Sequence, residues 1–282
     1  MKITNINSVT DLKNTTENRI SIILNSLEIL NELNKFSTFS DSITDVFLLS
    51  DSINKVLDFS FLEKFKKIKK IFIECDLHNF SKIKISNTLE YINFEYCNID
   101  NLDFLKQYQN LRQLYFNRCW FSQKLVGINT LKKLKELKFV NCSVHFNITQ
   151  NKLNNKLIFE TECFPESLHL LHMHFFDISE NEINLDFLKN LKILNELKIK
   201  ICTELIPKIN YPDSVKILCF QSDSTTHKDV LIDFKFVLKL INLEQLCFRN
   251  MKAVKNKITI RYLRQKTILN NLHLSKRVKI YN

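Results

Sequence analysis

Eight cysteines and a histidine cluster at His169, His172 and His174 are the side chains whose chemistry could reach beyond packing. His172 and His174 share one face at period two, from which two imidazoles could hold a transition metal. No carboxylate or cysteine stands at ligand spacing beside them, so ordinary surface histidines and no metal are expected. The cysteines contain no C-x-x-C pair, which removes the usual zinc and redox arrangements. Gly127 is the one glycine, and there are three prolines. Phosphate-cradling loops need glycine where backbone must approach a ligand closely, so they are nearly excluded. The sequence carries no G-x-G-x-x-G, G-K-[ST], H-E-x-x-H or G-x-S-x-G. A chain without catalytic machinery or cofactor is therefore expected.

The formal charge of +11 is unevenly spread. Of the 41 basic residues, ten lie in 245–282, a stretch with no Asp or Glu, and the other 31 nearly balance the 30 acidic residues. A basic end of this kind can attract nucleic acid, an acidic partner or an anionic surface. No apolar run approaches the ~20 residues that span a bilayer, and residues 1–11 lack the short apolar core of a secretory signal. A soluble, cytoplasmic and monomeric protein with free thiols is the expectation.

What must position these side chains is a repeat. Leu89-x-x-Ile92-x-Phe94-x-x-Cys97-x-Ile99 is followed by Leu111-x-x-Leu114-x-Phe116-x-x-Cys119-x-Phe121 and Leu134-x-x-Leu137-x-Phe139-x-x-Cys142-x-Val144, at spacings of 22 and 23 residues. Looser copies begin at Leu168, Leu194, Val215 and Leu243, a degraded one holds Leu269, Leu272 and Leu274, and two imperfect ones hold Ile43, Val46, Leu48 and Ile68, Ile71, Ile73. The fourth and sixth template positions alternate with polar neighbours, as in a strand with one buried face. A lone copy cannot bury its apolar side chains, whereas stacked copies about 4.8 Å apart form a continuous core. The cysteines thus fall on core positions, which argues against a nucleophilic Cys–His pair.

This pattern resembles the leucine-rich repeat, L-x-x-L-x-L-x-x-N/C-x-L, over roughly residues 43–275. The resemblance implies an α/β solenoid, curved, with parallel strands on a concave face and short helices or extended segments on the convex side. Cysteine stands where many members of the family carry asparagine. Short cysteine-bearing repeats in an Ile/Asn/Lys-rich chain look like the expanded leucine-rich-repeat families of insect poxviruses or AT-rich protists, which would imply a host-directed or substrate-recruiting adaptor.

Between the strands, Leu57-Asp58-Phe59, Leu102-Asp103-Phe104-Leu105, Leu185-Asp186-Phe187-Leu188 and Ile232-Asp233-Phe234 predict short helical turns with Asp as cap. Phe164-Pro165-Glu166-Ser167-Leu168 and Tyr211-Pro212-Asp213-Ser214-Val215 predict an extended approach to the strand instead. Residues 17–36 carry Ile20, Ile23, Leu24, Leu27, Leu30 and Leu33 at helical spacing behind a possible capping box, Asn14-x-x-Glu17. Residues 1–40 are accordingly expected to form a helical cap and 41–282 the solenoid, its basic C-terminal cap starting near 250. An F-box in the N-terminal segment is the functional alternative, but the usual Leu-Pro opening is missing.

If the strands are placed correctly, the third, fifth and seventh template positions point away from the core. The candidate protein-binding residues are Tyr91, Asn93, Glu95, Gln113, Tyr115, Asn117, Glu136, Lys138, His172, His174, Lys198 and Arg249. Aromatic and arginine anchors on a rigid face suit recognition of a protein. The alternative is binding of nucleic acid or an acidic surface through Lys252, Lys255, Lys257, Arg261, Arg264, Lys266, Lys276, Arg277 and Lys279. Beyond Tyr262 that stretch has few aromatics to stack on bases.

Overall fold

The computed structural model describes residues 4–6, 16–23, 27–35, 39, 41–49, 59–74, 85–99, 101–121, 125, 127–144, 163–175, 185–201, 205–221, 230–231, 234–249, 253–254 and 271–274. Two compact units divide the chain, residues 1–153 and 154–282. Each is built around an open parallel sheet, the repeat-like arrangement of a solenoid.

The first unit runs β1 (Thr4–Ile6), β2 (Arg19–Ile23), helix α1 (Leu27–Lys35), β3 (Asp45–Leu49), β4 (Lys70–Glu74), β5 (Tyr91–Glu95), β6 (Asn98–Ile99), β7 (Gln113–Asn117), β8 (Trp120–Phe121) and β9 (Glu136–Val144). Its main sheet has the order β1-β2-β3-β4-β5-β7-β9, and β6, β8 and the end of β9 add a second short parallel ladder. Register is constant, with Phe94 against Phe116 and Phe116 against Phe139, so each template position stacks on itself from coil to coil.

Burial follows the alternation read from the sequence. Ile92, Leu114 and Leu137 at the fourth position and Phe94, Phe116 and Phe139 at the sixth are fully buried. The three phenylalanines form a stack, 5.3 Å between the first two ring centres and 5.2 Å between the second pair, with Phe121 edge-on to Phe116 at 5.2 Å. Cys97, Cys119 and Cys142 are buried behind them, and each thiol hydrogen bonds to strand carbonyls, that of Cys119 to Phe94 and Asn117 at 3.4 Å. Burial pushes the Cys142 thiol up to about 12 and raises that of Cys119 further. The thiolate is the reactive form. At pH 8, a thiol reagent added to the native protein should therefore leave Cys119 and Cys142 unlabelled, and mass spectrometry should find them modified only after denaturation.

The N-terminal segment departs from the helical expectation. Residues 19–23 form a strand, paired in parallel with β1 on one side and β3 on the other, and the helix is confined to Leu27–Lys35. Within Arg19-Ile20-Ser21-Ile22-Ile23 the buried isoleucines recur at period two, and β-branched residues favour a strand. Arg19 also bridges to the buried Asp45 of β3 at 2.8 Å. Lys64 of the next coil closes the end of α1, donating to the carbonyls of Leu33 at 3.1 Å and Asn34 at 2.6 Å. Asn14 lies outside the described residues.

The second unit contains β10 (Leu170–Phe175), β11 (Glu196–Lys200), β12 (Ile217–Gln221), β13 (Val230–Leu231), β14 (Gln245–Arg249), β15 (Ala253–Val254) and β16 (Asn271–Leu274). Strands β10-β11-β12-β14-β16 pair in parallel in that order, with β13 and β15 as a side pair. Leu171, Leu197, Leu218 and Leu246 continue the buried fourth position.

The return segments contain 3-10 turns at Ser60–Lys64, Asp103–Gln107, Asp186–Asn190 and Phe234–Lys239, where helical turns were expected. Phe104, Leu105, Phe187 and Leu188 point into the core. Aspartate is not the cap, however. Asp103 already lies within the turn, its own N–H bonds to the Asn101 side chain at 3.2 Å, and its carboxylate pairs with Lys106 at 2.5 Å. Asp58 and Asp233 lie outside the described residues. The proline segments do not approach their strands extended either. Leu168 N–H bonds to Pro165 O at 3.3 Å and Val215 N–H to Pro212 O at 3.2 Å, the same closing turn that Leu111 and Leu134 make with Tyr108 and Leu131. A proline can open such a turn because only its carbonyl is needed there.

Candidate functional site

On the first unit the side chains facing away from the core fall into three rows set by register. Lys70, Tyr91, Gln113 and Glu136 make one; Phe47, Phe72, Asn93, Tyr115 and Lys138 the next; Glu74, Glu95, Asn117 and Val140 the third. Apart from exposed Lys70 and Glu74, all of these side chains are half-buried.

Four aromatic rings cross these rows as one strip. Phe47 stacks on Phe72 at 4.2 Å between centres and 3° between planes. Phe72 meets Tyr91 at 4.9 Å, and Tyr91 meets Tyr115 edge-on at 5.1 Å. Neighbouring parallel strands separate equivalent side chains by about 4.8 Å, so rings on successive coils touch without distortion of the sheet. The strip ends in a charged lock. Lys138 Nζ sits 4.1 Å from the Tyr115 ring centre, Tyr115 donates its hydroxyl hydrogen to Glu136, and Lys138 lies 3.5 Å from the same carboxylate. Beside it, Asn117 donates to Glu95 at 2.7 Å.

Burial would raise the Glu136 carboxyl, but hydrogen bonds from Tyr115 and Gln113 and the Lys138 charge outweigh it, so its pKa falls below the usual value. Tyr91 moves the other way. Burial, then the charges of Glu136 and Glu95, push it up from 10.0 to about 12. Burial also raises Tyr115 beside Glu136, Tyr108 and Tyr211. An unfolded tyrosine loses its proton near 10, so the unfolded state binds fewer protons than the folded one above that pH. Stability contributed by these tyrosines is present below pH 10 and is lost as pH rises through their folded-state values, about 12 for Tyr91. A spectrophotometric titration should show these phenols still protonated near pH 11 and ionising together with unfolding.

Of the candidates drawn from sequence, Tyr91, Asn93, Glu95, Gln113, Tyr115, Asn117, Glu136 and Lys138 share this face. Phe47 and Phe72 were missed. They occupy the fifth position of the two imperfect N-terminal copies, between Val46 and Leu48 and between Ile71 and Ile73, so the template itself would have found them.

The second unit is more closed. His172 and Lys198 are half-exposed partners in register, but His174 is only 9% exposed and is withdrawn from the accessible set. Strands about 4.8 Å apart set a row shoulder to shoulder, and at this level both His174 and Lys200 are covered. Cys219 and Cys247, equivalent positions on β12 and β14, are also buried, and the Gln245 amide donates to the Cys247 thiol at 3.2 Å. Arg249 ends β14 opposite Gln221, and its side chain lies outside the described residues. So do Lys252, Lys255, Lys257, Arg261, Arg264, Lys266, Lys276, Arg277 and Lys279, together with Cys202. Among the described residues no three His, Cys, Asp or Glu side chains stand close enough to hold a metal ion, and no helix is long and apolar enough to cross a membrane.

No protein-family model and no curated protein sequence matches the chain. Among solved structures it is similar to a chain of an octameric complex of Latrophilin 3 (Lec, Olf), Unc5D (Ig, Ig2, TSP1) and FLRT2 (LRR). Identity is 13% over 86% of this chain and 88% of that one, with a TM-score of 0.42. At that distance the likeness names no family.

Proposed function

We propose that this chain is a non-catalytic binding module of the leucine-rich-repeat type that takes a protein partner on the open face of its first unit. The observation that carries this reading is the continuous strip Phe47–Phe72–Tyr91–Tyr115, locked at one end by Lys138 and Glu136. Apolar rings on a surface cost free energy in water that packing in the core would have avoided. Their cover by a partner recovers that cost, and Tyr, Arg and Trp anchors supply most of the affinity in protein interfaces. A cytoplasmic, monomeric adaptor, host-directed or substrate-recruiting, is the role that fits a rigid repeat scaffold with one sticky face.

The test combines trapping with truncation. A photo-crosslinking residue in place of Asn93, at the centre of the face, should trap the same protein that the unmodified chain retains, and one in place of Lys133, on the exposed turn before β9, should not. Tyr91→Ala with Tyr115→Ala should weaken that partner at least about thirtyfold. Equal trapping at both positions, or undiminished affinity, would overturn the reading. The placement of ten basic residues in 245–282 favours a second reading, nucleic acid or an acidic surface bound there. Salt separates the two, because counterion release makes phosphate binding fall steeply between about 50 and 200 mM.

A further inference from the structure

Behind the strip, along one rim of the first unit, three equivalent residues hold left-handed backbone: Tyr96 (φ 52), Arg118 (φ 51) and Asn141 (φ 53). Asparagine adopts this conformation readily, whereas bulky side chains are strained in it. The chain therefore has an easy solution, used at 141, and departs from it twice. What the departures place outside is a tyrosine, 43% exposed, and an exposed arginine. The Arg118 guanidinium lies over the Tyr96 ring, 5.1 Å from its centre, and donates a hydrogen bond to the Tyr96 hydroxyl. Two residues on, past the inward Cys119, stands Trp120, the one tryptophan in the chain. It is 37% exposed and aligned with Asn98 and Ser143, both small and polar.

The chemistry of this trio is specific. A guanidinium held in place by the Tyr96 ring stands two residues from the exposed Trp120 indole, has donors left over, and pairs with no carboxylate among the described residues. Flat rings linked to phosphate match it, since any base can stack on an aromatic side chain and arginine takes a phosphate. Residues 1–153 hold 21 basic against 16 acidic residues, and this excess draws such a polyanion toward the unit that carries the trio. We propose that Tyr96, Arg118 and Trp120 form a binding site for single-stranded nucleic acid. Bases stack on the Trp120 and Tyr96 rings, and Arg118 holds the intervening phosphate. The site is distinct from the aromatic strip and from the basic stretch 245–282, and does not depend on either.

The sole tryptophan reports on the site directly. Titrating the full chain with an oligothymidylate of about fifteen nucleotides at about 50 mM salt should quench Trp120 emission, and raising the salt to about 200 mM should reverse much of the change. Tyr96→Asn and Arg118→Asn, which restore the residue found at 141 and so ease the backbone, should each weaken binding about tenfold or more while leaving thermal stability unchanged or higher. Poly-L-glutamate should neither quench nor compete. The proposal is overturned if the oligonucleotide does not bind, if a labelled one binds without quenching Trp120, if the asparagine variants keep their affinity, or if poly-L-glutamate quenches equally. The last result would point to an acidic protein instead.

Discussion

Phe116→Ala should destabilise the first unit by about 3–5 kcal/mol. Phe116 is fully buried between Phe94 and Phe139, with Phe121 against its edge, so its ring is in contact on both faces and one side. Removing it forfeits the transfer free energy of the ring and leaves a cavity that the two flanking coils cannot close, because each is fixed by ladder hydrogen bonds to the next. In a repeat array every coil is stabilised mainly by its neighbours, so a void at the centre weakens two interfaces at once. Urea unfolding followed by far-ultraviolet circular dichroism should show the midpoint moving down by more than 1 M, given a slope of about 1–3 kcal/mol per M. Phe116→Leu, which keeps most of the volume, should recover more than half of the loss. A truncation costing under about 1 kcal/mol would mean that the stack is not what holds these coils together.

That stack was legible in the sequence because residues 89–144 repeat every template position without exception, and an apolar period of two has one structural solution when the period recurs three times. Other parts were less legible for identifiable reasons. Ile20, Ile23, Leu24 and Leu27 fit a helical face as well as Ile20 and Ile22 fit a strand, and local spacing cannot choose between them. The choice is made by tertiary contacts, the parallel pairing with β1 and β3 and the bridge from Arg19 to Asp45. Aspartate in Leu-Asp-Phe suggested a cap, but the cap position depends on where the 3-10 turn begins, a matter of one residue that composition does not settle. The third, fifth and seventh positions are half-buried along β5 and β7, but accessibility fails at one equivalent position each of β10 and β12. Template position predicts an outward direction for His174 and Cys219, whereas burial depends on the size of neighbours on adjacent strands, and both are buried. Phe47 and Phe72 are not legible by type, because a half-buried phenylalanine on the outer face is distinguished from a core phenylalanine only by register.

Gly127→Ala should also destabilise, by about 2–4 kcal/mol, and here the sign itself is informative. Replacing glycine by alanine ordinarily stabilises by about 0.4–1 kcal/mol, because the unfolded chain loses freedom. Gly127 has φ +103, a conformation that L-residues rarely adopt, and a Cβ there would lie 2.9 Å from the carbonyl oxygen of Leu102. That oxygen is backbone, belonging to the return segment of the preceding coil, so it cannot rotate out of the way as a side chain would. The position sits as far ahead of its strand as Phe104 does in that coil, and immediately precedes the turn Ile128–Thr130. Thr130 closes this turn onto the Gly127 carbonyl through its N–H at 3.2 Å and its hydroxyl at 2.6 Å. Relief of the clash must therefore displace either the turn or the neighbouring coil, and both are tied to buried residues, Ile128 on one side and Leu102 on the other. A chain that sets tyrosine, arginine and asparagine at its other described left-handed positions keeps a glycine where two return segments come within contact of each other. Equilibrium unfolding in urea measures the effect, and a gain in stability on substitution would show that the return segments are free to separate, which would also weaken the case for a rigid face in front of them.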